Sequence, residues 1–290
     1  MREKTLACLG PHGFHRLQYH EWGDAENPDV LICAHGLTRN GRDFDDLART
    51  LCARYRVLCP DLPGRGKSEW LTHKEDYAYP VYCADMAALI ARSGAQTVDW
   101  IGTSMGGLIG MLLAAQLHSP VRRLVINDVG PFIPKSSLER IAAYVGKSVS
   151  YETFEAFEQY IRVVSAPFGP LTDAQWRHLA ETSARRSDVE QWTTNYDPGI
   201  ASPFRKAIAD VELWPFWDLI RCPVLLLRGQ DSDVLRAETA REMTTRGPQA
   251  KLVEFPGIGH APMLMAPDQI AAVEEFFGGH EQRMASGQAG

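Results

Sequence analysis

A serine between two glycines is the first residue here whose type and surroundings suggest chemistry. Gly102-Thr103-Ser104-Met105-Gly106 follows a run of strand-type residues and precedes a helical one. In so tight a turn, small neighbours let the serine backbone adopt a strained conformation and lift Oγ clear of the chain. The helix that follows points its free N–H groups at any anion forming beside Oγ. Ser104 is therefore the candidate nucleophile. A serine hydroxyl also needs a base to take its proton. Of nine histidines, His260 has the right setting, because Pro256-Gly257-Ile258-Gly259-His260-Ala261-Pro262 reads as a loop directly after a strand. His178 falls within a helical run and His280 within the last, Gly-rich residues, so neither is favoured.

The elements around these residues alternate between two periods. Strand-type runs cover 15–22, 29–34, 55–59, 97–101, 123–127, 223–228 and 251–255. Helical spacing covers 44–54, 82–91, 105–117, 238–244 and 268–277. Such alternation implies βαβ units and a mostly parallel sheet with helices on both faces. Between about Phe132 and Leu213 the strand-type runs vanish, and 138–144, 151–164 and 173–184 read as helices. This block is expected to be an all-helical cap over residues 132–213. The core is then formed by 1–131 and 214–278, and 279–290 is expected to be a flexible tail.

Bulk properties narrow the class further. The 290 residues carry a net charge of -6, and 45% are hydrophobic and 23% charged. That is ordinary for a soluble domain and argues against a nucleic-acid partner. No run is apolar enough to span a membrane, and Met1–Gly10 lacks the apolar stretch of a signal peptide, so a cytoplasmic location is expected. The six cysteines form no C-x-x-C pair and read as small buried hydrophobes. Gly64-Arg65-Gly66-Lys67-Ser68 imitates a phosphate loop, but Asp61 stands where that motif needs its first glycine. Trp176, Trp192, Tyr196, Trp214 and Trp217 are expected to pack helices more than to line a pocket. Arg185-Arg186 reads as a solvated face. Oligomeric state is not set by these features.

The motifs occur in a recognisable order. His35-Gly36, Asp61-x-Pro63-Gly64-x-Gly66-x-Ser68, Gly102-x-Ser104-Met105-Gly106-Gly107 and Gly257-x-Gly259-His260 resemble the α/β-hydrolase superfamily, across nearly the whole chain. The resemblance implies a chain order of nucleophile, acid, base. It also implies an oxyanion hole made by the backbone N–H groups of Met105 and Leu37, with the His35 side chain bracing that loop. No metal or organic cofactor is expected.

The acid is the departure. The family commonly carries it three residues after a glycine that ends the strand behind the insertion, and here that position is Ser232. A neutral hydroxyl does not steady an imidazolium as a carboxylate does. Asp128, which ends the strand-type run after the elbow helix, is the first candidate, since some members of the superfamily look similar in placing the acid there. Asp233 and Asp231, one residue to either side of Ser232, are the alternatives.

These residues predict a serine hydrolase that cleaves a carboxylic ester or lactone of a small to medium substrate through an acyl-enzyme. Serine at position 104 argues against the dehalogenase and epoxide-hydrolase branches, which use aspartate. Carbon–carbon hydrolases commonly have Asn before the nucleophile and Trp soon after the base, and Thr103 and Ala261-Pro262 do not match. A carbon–carbon hydrolase or a cofactor-free haloperoxidase or perhydrolase nevertheless stays open as an alternative. From another class comes a receptor or scaffold that binds a small molecule on the same fold.

Overall fold

The computed structural model describes residues 1–205 and 208–287, with 205 and 279–287 as backbone only. Six strands open the central sheet: β1 (Arg2–Gly10), β2 (Gly13–Trp22), β3 (Val30–Ala34), β4 (Arg56–Asp61), β5 (Val98–Thr103) and β6 (Val121–Asn127). Strands Val224–Gly229 and Lys251–Phe255 complete eight, in the order β1-β2-β4-β3-β5-β6 and then these two. β2 pairs antiparallel with β1 and β4, and every other pairing is parallel. Strands β3 and Val224–Gly229 are buried along their whole length. This explains why they read as unbroken apolar runs, since helices cover both faces.

Helices α1 (Asp45–Leu51), α2 (Tyr79–Ser93) and α3 (Met105–Ala114) connect the early strands. α2 ends at Gly94 in the left-handed region, φ 76°, a helix stop that glycine makes cheap. One apolar core joins α2 and α3 to one sheet face through Met86, Leu89, Ile109 and Leu124. A second joins α1 and the last helix to the other face through Leu47, Val57, Val125 and Phe277. β1 was not expected from the sequence. Its residues alternate exposed and buried against β2, a weak signal that the charges of Arg2, Glu3 and Lys4 obscure.

The insertion differs from the expected all-helical cap. It contains helices Lys135–Ala142, Phe154–Val164 and Asp173–Ser183, the last started by a Thr172/Gln175 capping box. It also contains a hairpin in which Ala184–Arg186 pairs with Trp192–Thr194. A second pair, Phe132–Ile133 with Val211–Glu212, closes the two ends of the insertion against each other. Strands of two or three residues are too short for alternation to be read from sequence, although Trp192, Thr193 and Thr194 are good strand formers. The chain end differs as well. The last helix runs Pro267–Gly287, beyond Phe277, because Glu281–Ala285 are helix formers with no proline to stop them. Positions 288–290 of the expected tail lie outside the described residues.

A buried charge cluster locks the start of β5 to the rest. Asp99 accepts from Arg122 and Arg123, while Arg123 also donates to Phe277 O (2.7 Å) and to Tyr55 Oη (2.8 Å). Removing one side of such a pair leaves the other charged and unmatched, which costs about 3–5 kcal/mol. Asp99→Asn is therefore expected to lower unfolding free energy by that amount in urea titration. Since Asp99 lies at the opposite end of β5 from Ser104, the turnover of the folded fraction should stay within twofold of the parent.

Candidate active site

Ser104 sits at the turn between β5 and α3 with φ 53° and ψ −116°, in the left-handed range that side chains rarely adopt. Its amide donates to Asn127 O at 2.8 Å, which fixes the turn against β6. The flanking glycines are required by contact. A Cβ on Gly102 would lie 2.1 Å from Gly106 O, and one on Gly106 would lie 2.0 Å from Ala34 O. These are backbone atoms that cannot swing aside, so β3, β5 and α3 meet this closely only with glycine between them.

The structure brings Ser104, His260 and Asp128 into one line. Ser104 Oγ donates to His260 Nε2 at 2.8 Å, and His260 Nδ1 donates to Asp128 Oδ2 at 2.7 Å. Asp128 is wholly buried, and its amide is tied to Leu227 O on the neighbouring strand. Its Oδ1 accepts Gly229 N at 2.9 Å and its Oδ2 also accepts Ser232 Oγ at 2.6 Å. A buried carboxylate is tolerated only when so satisfied. The other two candidate acids are elsewhere. Asp233 makes a two-pronged pair with Arg140 at 2.6 and 2.8 Å on the surface. Asp231 is exposed, and only its amide is engaged, with Ile258 O.

A family model described as the alpha/beta hydrolase fold matches residues 29–267. The chain belongs to the α/β-hydrolase family. By that membership it is an enzyme that acts on ester bonds. It is 50% identical over 283 residues to the 3-hydroxybutyrate-oligomer hydrolase of Cupriavidus necator, covering 94% of this chain and 97% of that one. Among solved structures it resembles an α/β hydrolase from Novosphingobium aromaticivorans, with a TM-score of 0.83 and 38% identity over 94% of this chain and 97% of that one. A Rickettsia typhi structure superposes with a TM-score of 0.90 at 32% identity, covering 96% of this chain and 99% of the other.

In this hydrolase a cavity of about 140 Å³ opens beside Ser104 and His260, between the sheet edge and the insertion. Tyr160, Ile161 and Tyr196 of the insertion face Leu37 and Met263 across it. Of the five aromatic residues singled out in the sequence, Tyr196 lines the cavity, while Trp176 and Trp217 are buried in packing. Arg185 and Arg186 lie over the rings of Trp70 and Trp192, more engaged than a plain solvated face. The amides of Leu37 and Met105 have no hydrogen-bond partner among the described residues. Outside the cavity, Cys8, His15 and Asp85 form a buried group with donor atoms within 4.8 Å of one another, in which His15 and Asp85 are hydrogen-bonded at 2.9 Å.

Two further polar residues, Asn127 and Ser232, support this line. Asn127 Nδ2 donates to Pro262 O at 2.7 Å and to Thr103 Oγ1 at 3.0 Å, so it ties the His260 loop to the elbow strand. A polar residue ending an apolar strand run was the available signal. Ser232 lacks a carboxylate, yet it donates to Asp128 from the place where one was expected.

His35 braces the loop opposite. Its Nδ1 donates to Gly36 O at 2.7 Å and its Nε2 accepts Leu62 N at 2.9 Å, which requires the neutral ring. Burial pushes its pKa down to about 4. An unfolded-state imidazole titrates near 6.5, so between these values the unfolded chain binds the extra proton. The stabilisation from neutral His35, on the order of 3 kcal/mol, is full above about pH 6.5 and is lost as pH falls toward about 4. In urea titrations at pH 7, 5.5 and 4.5, His35→Gln should show a shallower acid loss than the parent over this window. Identical slopes would remove His35 as the source.

Proposed function

We propose that this chain is a serine hydrolase of carboxylic esters that works through an acyl-enzyme, and that its substrates are short linear oligomers of a 3-hydroxy acid. The observation that carries the chemistry is the unbroken line from Ser104 Oγ through His260 to Asp128, with bonds of 2.8 and 2.7 Å. The substrate class rests on 50% identity over almost the full length of the Cupriavidus necator hydrolase. An esterified 3-hydroxy acid is also a compact chain that suits a small cavity walled by tyrosines and aliphatic residues.

The steps follow from the donors available. His260 Nε2 takes the proton as Ser104 Oγ attacks the ester carbonyl. The oxyanion is held by the amides of Leu37 and Met105, each such donor being worth about 3–4 kcal/mol of barrier. The α3 N-terminus adds its dipole at the same point. Asp128 keeps the Nδ1 proton on His260 and stabilises the imidazolium. That imidazolium protonates the departing alkoxide oxygen as the C–O bond breaks, releasing a hydroxy acid. Water, deprotonated by the same ring, then releases the second acid and restores Ser104.

Hydrolysis of 3-hydroxybutyrate dimer and trimer, followed by release of the free acid, tests the substrate class. Turnover of these oligomers should exceed that of simple acetate and butyrate esters. Ser104→Ala should abolish turnover and labelling by a fluorophosphonate. Asp128→Asn should lower kcat by about 10⁴, because the amide no longer selects the tautomer. Asp233→Asn should stay within threefold of the parent. A parent protein that neither cleaves p-nitrophenyl butyrate nor takes up the fluorophosphonate would overturn the proposal in favour of a binding protein on the same fold. Carbon–carbon cleavage or perhydrolysis in place of ester turnover would overturn the ester-hydrolase reading and leave Ser104 as the nucleophile.

A further inference from the structure

The segment that imitates a phosphate loop holds a guanidinium that the triad leaves unexplained. Arg65 is 0% exposed and pairs with no carboxylate among the described residues. A buried cation in that position is costly unless its N–H groups are all employed. Arg65 Nε donates to Leu37 O at 2.8 Å. Its Nη1 donates to Pro63 O at 2.7 Å and to Tyr82 Oη at 2.9 Å. Its Nη2 lies 3.7 Å from Met105 Sδ. The guanidinium carbon lies 5.3 and 5.6 Å from the ring centroids of Tyr82 and Tyr77, close enough for attraction to both faces. One side chain therefore touches both Leu37, which lines the cavity, and Met105, which follows Ser104.

We infer that Arg65 is a positioning residue that sets the geometry of the oxyanion site, an inference that rests on the acyl-transfer reading above. The Leu37 N–H lies in the peptide plane it shares with Gly36 O, and that plane hinges at Leu37 Cα on the next, which carries Leu37 O. The first plane is held by Gly36 O, which accepts His35 Nδ1 at 2.7 Å and Arg39 N at 3.2 Å. The second is held by Leu37 O on Arg65 Nε. With Leu37 O fixed, the turn from Gly36 to Arg39 cannot rotate at its centre, and the plane that carries the Leu37 N–H keeps one direction. Freed from Arg65, the second plane rotates and the turn that holds Arg39 N loosens. The contact with Met105 keeps the second amide in register with the first.

The same loop is tied to the insertion. Gly64 O accepts Asp197 N at 2.7 Å, and Gly66 N donates to Asn195 O at 3.1 Å, on either side of the cavity-lining Tyr196. The backbone of Arg65 thus carries the position of the insertion, and its side chain carries that position to the oxyanion site.

The test compares p-nitrophenyl butyrate with its thionoester, whose sulfur is larger and a poor acceptor for the two amides. In Arg65→Gln, kcat for the oxygen ester should fall ten- to a hundredfold with KM changed less than threefold. This is less than the 10²–10³ that follows loss of a whole oxyanion donor. The thionoester rate should fall far less, so the oxygen-to-sulfur rate ratio drops. Arg65→Lys keeps the charge but not the fork of donors, and should recover only part of the ratio. If Arg65→Gln does not fold, Tyr82→Phe removes one acceptor of the guanidinium and should lower the ratio several-fold. A ratio unchanged in folded variants, or parallel loss of both rates, overturns the role of Arg65. A parent protein inactive on both esters overturns the acyl-transfer reading itself, and the role of Arg65 with it.

Discussion

The buried carboxylate of Asp128 is the point on which the site depends. It is wholly buried, so protein donors must solvate it, and they come from two separate segments. Gly229 and Ser232 approach from the end of one strand, and His260 from the loop after the next. Leu227 O holds the Asp128 amide from the adjoining strand. Because each donor must be in place for the charge to be tolerated, the carboxylate fixes the register of the strand ends around it.

The elbow imposes a second constraint of a different kind. Gly102 and Gly106 allow backbone-to-backbone approach between β3, β5 and the start of α3. That approach puts the first turn of α3 beside the end of β3, so the loop carrying His35 and Leu37 faces Ser104. Hydrogen bonds then hold what close packing has brought near. Asn127 ties the His260 loop to β5, and His35 ties the Leu37 loop to Leu62.

The insertion is coupled to this centre through apolar packing as well as hydrogen bonds. Met263 and Met265, just past His260, lie in the same cluster as Phe157, Ile161 and Trp176 of the insertion. Gly259 N donates to Pro167 O at 2.7 Å. His260 is thus held from the insertion on one side and from Asp128 on the other, while the loop of Arg65 is bound to residues 195–197. Movement of the insertion would displace both His260 and the Leu37 loop.

Much of this was legible in the chain. Glycine at 102 and 106 around Ser104, and glycine and proline around His260, are local signatures, because backbone sterics act over a few residues. The parallel strands were equally readable, since a strand covered on both faces is mostly apolar. The hairpin of Ala184–Arg186 with Trp192–Thr194, strand β1, and the extension of the last helix to Gly287 were not, because short or charged segments take their state from their neighbours. Sequence determined that Ser104 stands on a sharp turn at the end of a strand and that three aspartates compete to serve His260. Only the tertiary structure separates them by position, with Asp128 on His260 Nδ1, Asp233 on Arg140 and Asp231 exposed. Asp128, Asp231 and Asp233 are alike in chemistry, and what separates them is which strand end turns inward and finds enough donors to hold a charge without water.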